Sequence, residues 1–196
     1  RTQSAYQITV ASSLDKLSQD QADIWDSGKV ISNHTNQIVY EGIPLVSATK
    51  YYWKVRVWDE SDIISIWSTP AYWSMGLLKF SNWQGLFIGH DVGYNKADKY
   101  DSLYLPPARY LRKSFNLNKK IKKATAYTTA LGLYELRLNG NKVGEANFLP
   151  GWTDYDKRLY YQTFDITDSL NQGENVIGAV IADGWYAGYI GYALLV

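Results

Sequence analysis

Alternating apolar and polar residues recur along much of this chain of 196 residues. The clearest example has Tyr134, Leu136 and Leu138 separated by charged residues, which is the period of two that is typical of a half-buried strand. Asn139 and Gly140 follow directly and supply the two positive-φ residues of a type I′ turn, so the chain should reverse into a hairpin. Long stretches with helical periodicity are scarce. The pattern therefore predicts an all-β protein.

Residues 1–76 predict a first β-sandwich of the fibronectin type III or immunoglobulin-like kind, with seven strands. Its most informative stretch is 45–58, where alternation places one set of side chains on one face of a strand: Tyr51, Trp53, Val55 and Val57. Tyr51 is also placed to act as a tyrosine corner, with its hydroxyl bonded to the preceding loop. Other short strands are predicted at 5–10, 24–30, 37–40 and 65–75, with weak helical character at 12–20.

Residues 77–108 predict a connector that includes an irregular polar loop, and residues 109–196 predict a second sandwich. Its strands are expected at 110–117, at 124–138 as a strand pair or one strand bent at Gly132, and at 176–181. A short helical turn is expected at 167–170. The basic run Lys119–Lys123 is interpreted as a solvated hairpin end that discourages edge pairing, in preference to a binding patch.

Composition narrows the classes of partner. The net charge is +1, which gives no electrostatic basis for binding nucleic acid or an anionic membrane surface. No apolar run approaches the roughly 20 residues of a membrane span. The chain has no cysteine, so disulfides and thiolate metal sites are excluded. Its 8 Trp and 17 Tyr suit stacking on sugar rings, although β-sandwiches also favour aromatic residues for packing.

Three sequence blocks carry a resemblance to a known family: PGWTDY at 150–155, DIT at 165–167 and DGWY at 183–186. Together they resemble the N-terminal region of bacterial α-L-rhamnosidases of glycoside hydrolase family 78, and the similarity covers nearly the whole chain. The resemblance implies a fibronectin-like domain followed by a galactose-binding-like jelly roll. It also implies a rhamnose-containing carbohydrate as partner and a downstream catalytic α/α barrel in the same polypeptide. A periplasmic or extracellular location is favoured over a cytoplasmic one.

Two loops of the second sandwich hold the candidate sugar-binding residues. Aromatic faces there can stack on a sugar, and carboxylates can accept hydrogen bonds from its hydroxyls. The candidates are Trp152, Asp154, Tyr155, Arg158, Asp183, Trp185 and Tyr186. The alternative is structural: Trp152 and Trp185 pack between domains, and Arg158 pairs with Asp154 or Asp156.

The resemblance also raises a calcium site. Some rhamnosidases carry a related jelly roll that binds L-rhamnose through calcium, using an Asp, an Asn and an aromatic platform. Asp154 matches the calcium-binding Asp, and calcium is a hard ion that suits oxygen ligands of this kind. Tyr155 stands where that pattern has Asn.

No catalytic residue is predicted in this chain. None of its carboxylates lies in an apolar run that would raise its pKa for acid catalysis, and His34 and His90 are far apart in loops. In the family that the chain resembles, the catalytic acids belong to the downstream barrel. Two functions follow as hypotheses: the accessory N-terminal portion of an α-L-rhamnosidase, or a non-catalytic carbohydrate-binding or adhesion protein.

The last residues predict an incomplete jelly roll. Tyr192 runs straight into the apolar segment 193–196, whereas the family places a polar loop between these two features. We therefore expect either that a loop is missing between Tyr192 and Ala193 or that the chain is cut inside its last strand.

Overall fold

The computed structural model describes residues 2–89 and 107–188, which form two compact units. The units comprise Arg1–Gly85 and Leu86–Val196, so the division lies inside the predicted connector. Strands predominate among the regular elements of the described residues, which also include two α-helices of five and four residues. None of the described helices has the length and apolar character needed to cross a membrane. The predicted loop at 90–101 and the junction between Tyr192 and Ala193 lie outside the described residues.

The first unit contains one antiparallel sheet of five strands. The strands are β1 (Gln3–Ala11), β2 (Trp25–Asp26), β3 (Val30–Ile31), β4 (Lys50–Asp59) and β5 (Ala71–Ser74). Strands β1 and β4 pair along nearly their whole length at the centre of the order β2-β1-β4-β5, and β3 pairs with the start of β1. A 3₁₀ turn at Phe80–Asn82 follows.

Helix α1 (Leu14–Ser18) confirms the helical character predicted from the sequence. The Ser13 hydroxyl accepts a hydrogen bond from the Lys16 backbone N–H, which satisfies one of the free donors at the helix start. Leu17 is the buried residue of this short helix, and its burial attaches the helix to the rest of the unit.

Tyr51 forms the predicted tyrosine corner. Its hydroxyl accepts a hydrogen bond of 2.9 Å from the backbone N–H of Val46, and its side chain is buried. The bond fixes the loop that leads into β4.

The face of β4 away from Tyr51 is partly buried as well. Lys54 and Trp58 lie on that face, and both are buried. The ammonium of Lys54 pairs with Asp20 and lies 4.7 Å from the centre of the Trp67 ring. These contacts give the buried charge the partners that it needs.

The number of strands in this unit is five in the described part, fewer than the seven predicted. Residues 37–40 form no strand, and Gln37 has a φ of +53°, which interrupts an extended backbone. Residues 65–68 run beside β4, but part of the hydrogen bonding to β4 is made by side-chain hydroxyls in place of backbone carbonyls. The hydroxyls of Ser65 and Ser68 accept the backbone N–H groups of Val57 and Val55.

The described residues of the second unit, 86–89 and 107–188, contain two antiparallel sheets. Strands β6 (Arg109–Leu117), β11 (Gly173–Ala182), β8 (Leu133–Leu138) and β9 (Asn141–Lys142) form one sheet in that order. Strands β7 (Thr125–Thr128) and β10 (Gln162–Asp165) form the other. The 3₁₀ turn Thr167–Ser169 lies where a helical turn was predicted, and helix α2 (Gly184–Ala187) follows β11.

The core of this unit contains side chains from both sheets. Leu136 and Leu138 of β8 pack with Ala126 of β7 and Phe164 of β10. The Tyr134 hydroxyl hydrogen-bonds Thr128 at 2.6 Å and donates to Gln162 at 2.9 Å, so it links the two sheets through polar contacts. Burial raises the pKa of the Tyr134 hydroxyl, which keeps it protonated as a donor.

The predicted hairpin at Asn139-Gly140 is confirmed. Both residues have positive φ, +51° and +86°, and Arg137 faces Lys142 across a two-residue turn.

The bend at Gly132 is confirmed as well, and it separates β7 from β8, which belong to different sheets. The four lysines of the run 119–123 are exposed, as a solvated chain reversal requires.

Candidate functional site

The DGWY block forms the short helix α2 at the end of β11. Its first helical residue, Gly184, has a φ of +52° and approaches Leu133 so closely that a Cβ would lie 2.5 Å from the Leu133 side chain. Glycine is therefore required where the chain turns out of the sheet. The turn places the side chains of Asp183, Trp185 and Tyr186 at the end of the four-stranded sheet.

The PGWTDY block begins a long loop beside β8. An isolated bridge joins Leu149 to Tyr134, which fixes the start of this loop against the sheet. The backbone N–H groups of Lys157 and Arg158 both donate to the Asp154 carbonyl, closing a turn, and Thr153 is buried. The sequence did not predict these two backbone hydrogen bonds to Asp154.

The two loops meet through a pair of aromatic rings. The rings of Tyr155 and Tyr186 have centroids 5.3 Å apart and cross at 77°, an edge-to-face contact. The Tyr155 hydroxyl is buried and has no hydrogen-bond partner among the described residues. Burial raises its pKa. The structure thus brings together two of the predicted site residues from segments about thirty positions apart.

Asp183 pairs with an arginine that the sequence reasoning missed. Arg109 Nη1 donates to Asp183 Oδ1 at 3.2 Å, and the two side chains are 21% and 19% exposed. Arg109 is the first residue of β6 and shares the inward register with Leu111 and Phe115. The sequence did contain a sign of this pair, because Arg109 occupies an inward-facing position of a predicted strand and a charge there needs a partner.

The charged residues of the first loop have local partners. Asp154 Oδ2 accepts from Lys157 Nζ at 2.7 Å, and so the structural alternative in which Arg158 neutralises Asp154 is replaced by a pair with Lys157. Arg158 donates instead to the Thr153 hydroxyl at 3.3 Å, and its guanidinium lies 5.8 Å from the centre of the Tyr160 ring.

Calcium binding at Asp154 stays a prediction. One oxygen of its carboxylate pairs with the exposed Lys157 ammonium, and the hydroxyl of the next residue, Tyr155, is buried. Within residues 2–89 and 107–188, no group of three or more His, Cys, Asp or Glu side chains could hold a metal ion. His34 is exposed in the first unit, and His90 lies outside the described residues.

Three of the four aromatic residues predicted for the site, Trp152, Trp185 and Tyr186, differ in accessibility. Trp152 is 65% exposed and Tyr186 is 47% exposed, whereas Trp185 is half-buried. Trp152 and Tyr186 therefore offer ring surface to a ligand or a neighbouring domain. Trp185 offers only part of its surface.

A cavity of about 250 Å³ lies beside the ion pair of Arg109 and Asp183. Tyr186 also lines it, and Leu111, Leu131 and Ile181 supply apolar surface. It combines a guanidinium, a carboxylate and an aromatic ring with aliphatic side chains, which is the mixture found in sites for small polar molecules.

Comparison with protein families assigns both units. Residues 119–194 match the family described as α-L-rhamnosidase N-terminal domain, and residues 1–79 match the Rha78A-like, N-terminal immunoglobulin domain. These matches confirm the all-β architecture and the predicted order of the two domain types.

Similar proteins and structures agree with this assignment. An α-L-rhamnosidase of Formosa agariphila is 43% identical over 95% of this chain and 21% of its own length. One from an Alteromonas species is 39% identical over 96% of this chain and 20% of its own length. Among solved structures, α-L-rhamnosidase from Dictyoglumus thermophilum has a TM-score of 0.83 at 36% identity, covering 94% of this chain and 21% of that one.

The Streptomyces avermitilis α-L-rhamnosidase, solved in complex with L-rhamnose, has a TM-score of 0.83 at 25% identity. The match covers 97% of this chain and 34% of the Streptomyces avermitilis protein. The chain thus spans between about a fifth and a third of the length of the relatives that it matches.

Proposed function

The chain belongs to the α-L-rhamnosidase family as its N-terminal immunoglobulin-like and rhamnosidase N-terminal domains, and from this premise we propose that it is the non-catalytic accessory portion of such an enzyme. In this proposal the longer protein removes terminal α-L-rhamnose from glycans or glycosides. The chain assists by recognising rhamnose-containing carbohydrate or by supporting the catalytic domain. A periplasmic or extracellular location is part of the proposal.

The observation that carries the recognition role is the junction of the two loops. Tyr155 and Tyr186 meet there, and the paired charges of Arg109 and Asp183 lie beside Tyr186 at the same cavity. An aromatic ring next to a hydrogen-bond donor and acceptor is what a sugar ring needs, because it has apolar C–H faces and polar hydroxyls. Charge-assisted hydrogen bonds to hydroxyls are about twice as strong as neutral ones.

A separate observation favours the supporting role. Trp152 in the first loop and Phe148 just before that loop are 65% and 68% exposed. Large aromatic side chains that are left open in this way are enriched where one protein surface contacts another. The catalytic domain of the same polypeptide is the proposed partner for this surface.

Two substitutions separate the roles. If the loops recognise sugar, Tyr186→Ala weakens L-rhamnose binding by the 196-residue chain while its melting temperature changes little, because Tyr186 lines the cavity and is 47% exposed. If Trp152 braces the catalytic domain, Trp152→Ala leaves the melting temperature of the 196-residue chain unchanged and lowers that of the longer enzyme. Calorimetry on both proteins measures these effects.

The competing hypothesis is a carbohydrate-binding or adhesion protein without a catalytic domain. It predicts that the longer protein hydrolyses no aryl α-L-rhamnoside although it still binds sugar. Hydrolysis by the longer protein, together with a loss of activity when residues 1–196 are replaced by an unrelated sandwich, supports the accessory role.

A further inference from the structure

From the cavity beside Arg109, we infer that the second unit holds a single 6-deoxyhexose, with the ion pair of Arg109 and Asp183 binding hydroxyls and an aliphatic wall receiving the methyl group. This inference rests on the proposed function, which it makes specific by naming the subsite and the sugar feature that it selects. The cavity lies wholly within the second unit and measures about 250 Å³, so it suits one monosaccharide better than a longer chain.

The ion pair supplies the polar side of the subsite. Arg109 Nη1 and Asp183 Oδ1 are 3.2 Å apart, so a donor and an acceptor lie side by side on the cavity wall. Neighbouring sugar hydroxyls can accept from the guanidinium and donate to the carboxylate while the pair remains intact. Both bonds are charge-assisted, in a place where each side chain is only about one-fifth exposed.

Arg109 retains a donor that the fold does not use. Its Nε is buried and has no hydrogen-bond partner among the described residues. A buried donor of this kind costs free energy when it stays unpaired, so a protein rarely leaves one without a reason. A buried water satisfies this group, whereas a ligand hydroxyl in the cavity meets the accessible part of the same guanidinium.

The apolar side chains explain the choice of a 6-deoxy sugar. Leu111, Leu131 and Ile181 come from three different segments and line the same cavity. A methyl group placed against them is removed from water at no polar cost, whereas a hydroxyl in the same place loses its hydration. L-rhamnose and L-mannose differ only in this group, since rhamnose is 6-deoxymannose.

Tyr186 completes the subsite. Its ring lines the cavity and is held edge-to-face by Tyr155, so its orientation is fixed before a ligand arrives. A ring fixed in this way loses less conformational entropy when a sugar stacks on it.

The test is titration of the ¹⁵N-labelled 196-residue chain with L-rhamnose, followed by NMR. The expected result is saturable shifts centred on Leu131, Ile181 and Tyr186, with a dissociation constant on the order of 0.1–1 mM. L-mannose should bind several-fold more weakly, because its hydroxyl faces the aliphatic wall.

Variants assign the binding to the ion pair. Arg109→Met should weaken L-rhamnose binding about tenfold or more, since a charged hydrogen-bond partner is lost. Arg112→Met, an exposed arginine on the same strand, is the matched control and should leave binding unchanged. If Arg109→Met fails to fold, Asp183→Asn removes the charge while preserving the shape of the side chain, and it should weaken binding in the same direction.

The inference is overturned if L-rhamnose up to tens of times that concentration range shifts no resonance, if the shifts centre on Trp152 and Arg158, or if both cavity variants bind normally. These outcomes leave the proposed function standing, provided that the longer protein still hydrolyses α-L-rhamnosides. Conversely, the proposed function fails if the longer protein is inactive, whatever the titration shows.

Discussion

Two asparagines join the loops of the second unit to its sheet. Asn175, at 1% exposure, accepts from Asn139 Nδ2 and from the Asn171 backbone N–H, and it donates to the carbonyls of Asn171 and Gly173. Asn139 in turn accepts from the Val176 N–H at 2.8 Å. The Asn175 amide itself is out of reach of water, so all its hydrogen bonds must be made within the protein.

Removing this amide should be costly. Asn175→Ala removes the partner of the Asn171 and Gly173 carbonyls and of the Asn171 N–H, and we expect it to lower the free energy of unfolding by about 2–4 kcal/mol. Urea denaturation measures the loss. The control is Asn116→Ala on the exposed side of β6, which should stay within about 0.5 kcal/mol of the parent chain. An equal effect of both substitutions would contradict the role given to the Asn175 network.

A carboxylate in the first unit makes the stability depend on pH. Burial raises the pKa of Asp23, but hydrogen bonds from Lys16 and Ser12 outweigh it and lower that pKa from 3.8 to about 2. Lys16 Nζ lies 2.6 Å from Asp23 Oδ2, and the Ser12 N–H and hydroxyl both donate to the same carboxylate. Because the folded pKa is depressed, this stabilisation is present above pH 4 and is lost as the pH falls toward 2.

Asp23→Asn should therefore show a pH-dependent effect. At pH 6 we expect the variant to be less stable by roughly 1 kcal/mol, a value reduced for solvent screening. The difference should shrink between about pH 4 and pH 2, where the parent carboxylate takes up its proton. Unfolding free energies measured in urea across this range check the prediction. A difference that stays constant with pH would contradict it.

Single residues differ in how far the sequence could predict them. Tyr51 stood at a recognisable position before a strand, and its corner hydrogen bond was predicted correctly. Asn175 gave no such signal, since its four partners depend on how loops fold against β11. The burial of Lys54 could not be predicted, because it depends on Asp20 and Trp67, which come from other segments of the chain.

Among the elements, the bend between β7 and β8 has a steric cause. Gly132 has a φ of +95°, and a Cβ there would lie 2.4 Å from the Ala182 carbonyl oxygen. The close approach lets β8 begin beside the end of β11, where α2 also begins. The bend therefore contributes to the placement of the candidate site.

Paired glycine substitutions test this explanation. Gly140 also has positive φ, +86°, but no atom lies within 4 Å of the place where its Cβ would be. Gly140→Ala should cost about 1–2 kcal/mol from backbone strain alone. Gly132→Ala should cost clearly more, about 3 kcal/mol or above, since the clash with backbone adds to the strain. Equal losses on thermal or urea denaturation would show that the close approach has no effect.

Strands were predictable wherever alternation and turn residues agreed. The stretch from Leu133 to Lys142 met both conditions, with a period of two followed by Asn-Gly. Residues 37–40 are a short apolar run that was predicted as a strand, and they form none. Pairing is a tertiary property, and one segment's pattern cannot supply it.

At the scale of the whole molecule, the candidate site combines segments that are far apart in sequence. Arg109 and Asp183 are separated by 74 positions, and Tyr155 lies between them along the chain. The sequence motifs located Tyr155, Asp183 and Tyr186, because the blocks around them resemble a known family. They did not reveal Arg109, whose contribution depends on the pairing of β6 with β11.

The central claim is that this chain is the accessory, non-catalytic portion of an α-L-rhamnosidase. Hydrolysis of an aryl α-L-rhamnoside tests it most directly, with the purified 196-residue chain assayed beside the longer protein to which it belongs. The account predicts turnover by the longer protein and none by the 196-residue chain, even at high enzyme concentration and with calcium added. Turnover by the 196-residue chain that co-purifies with it through successive columns would contradict the claim, and so would a longer protein that hydrolyses no rhamnoside.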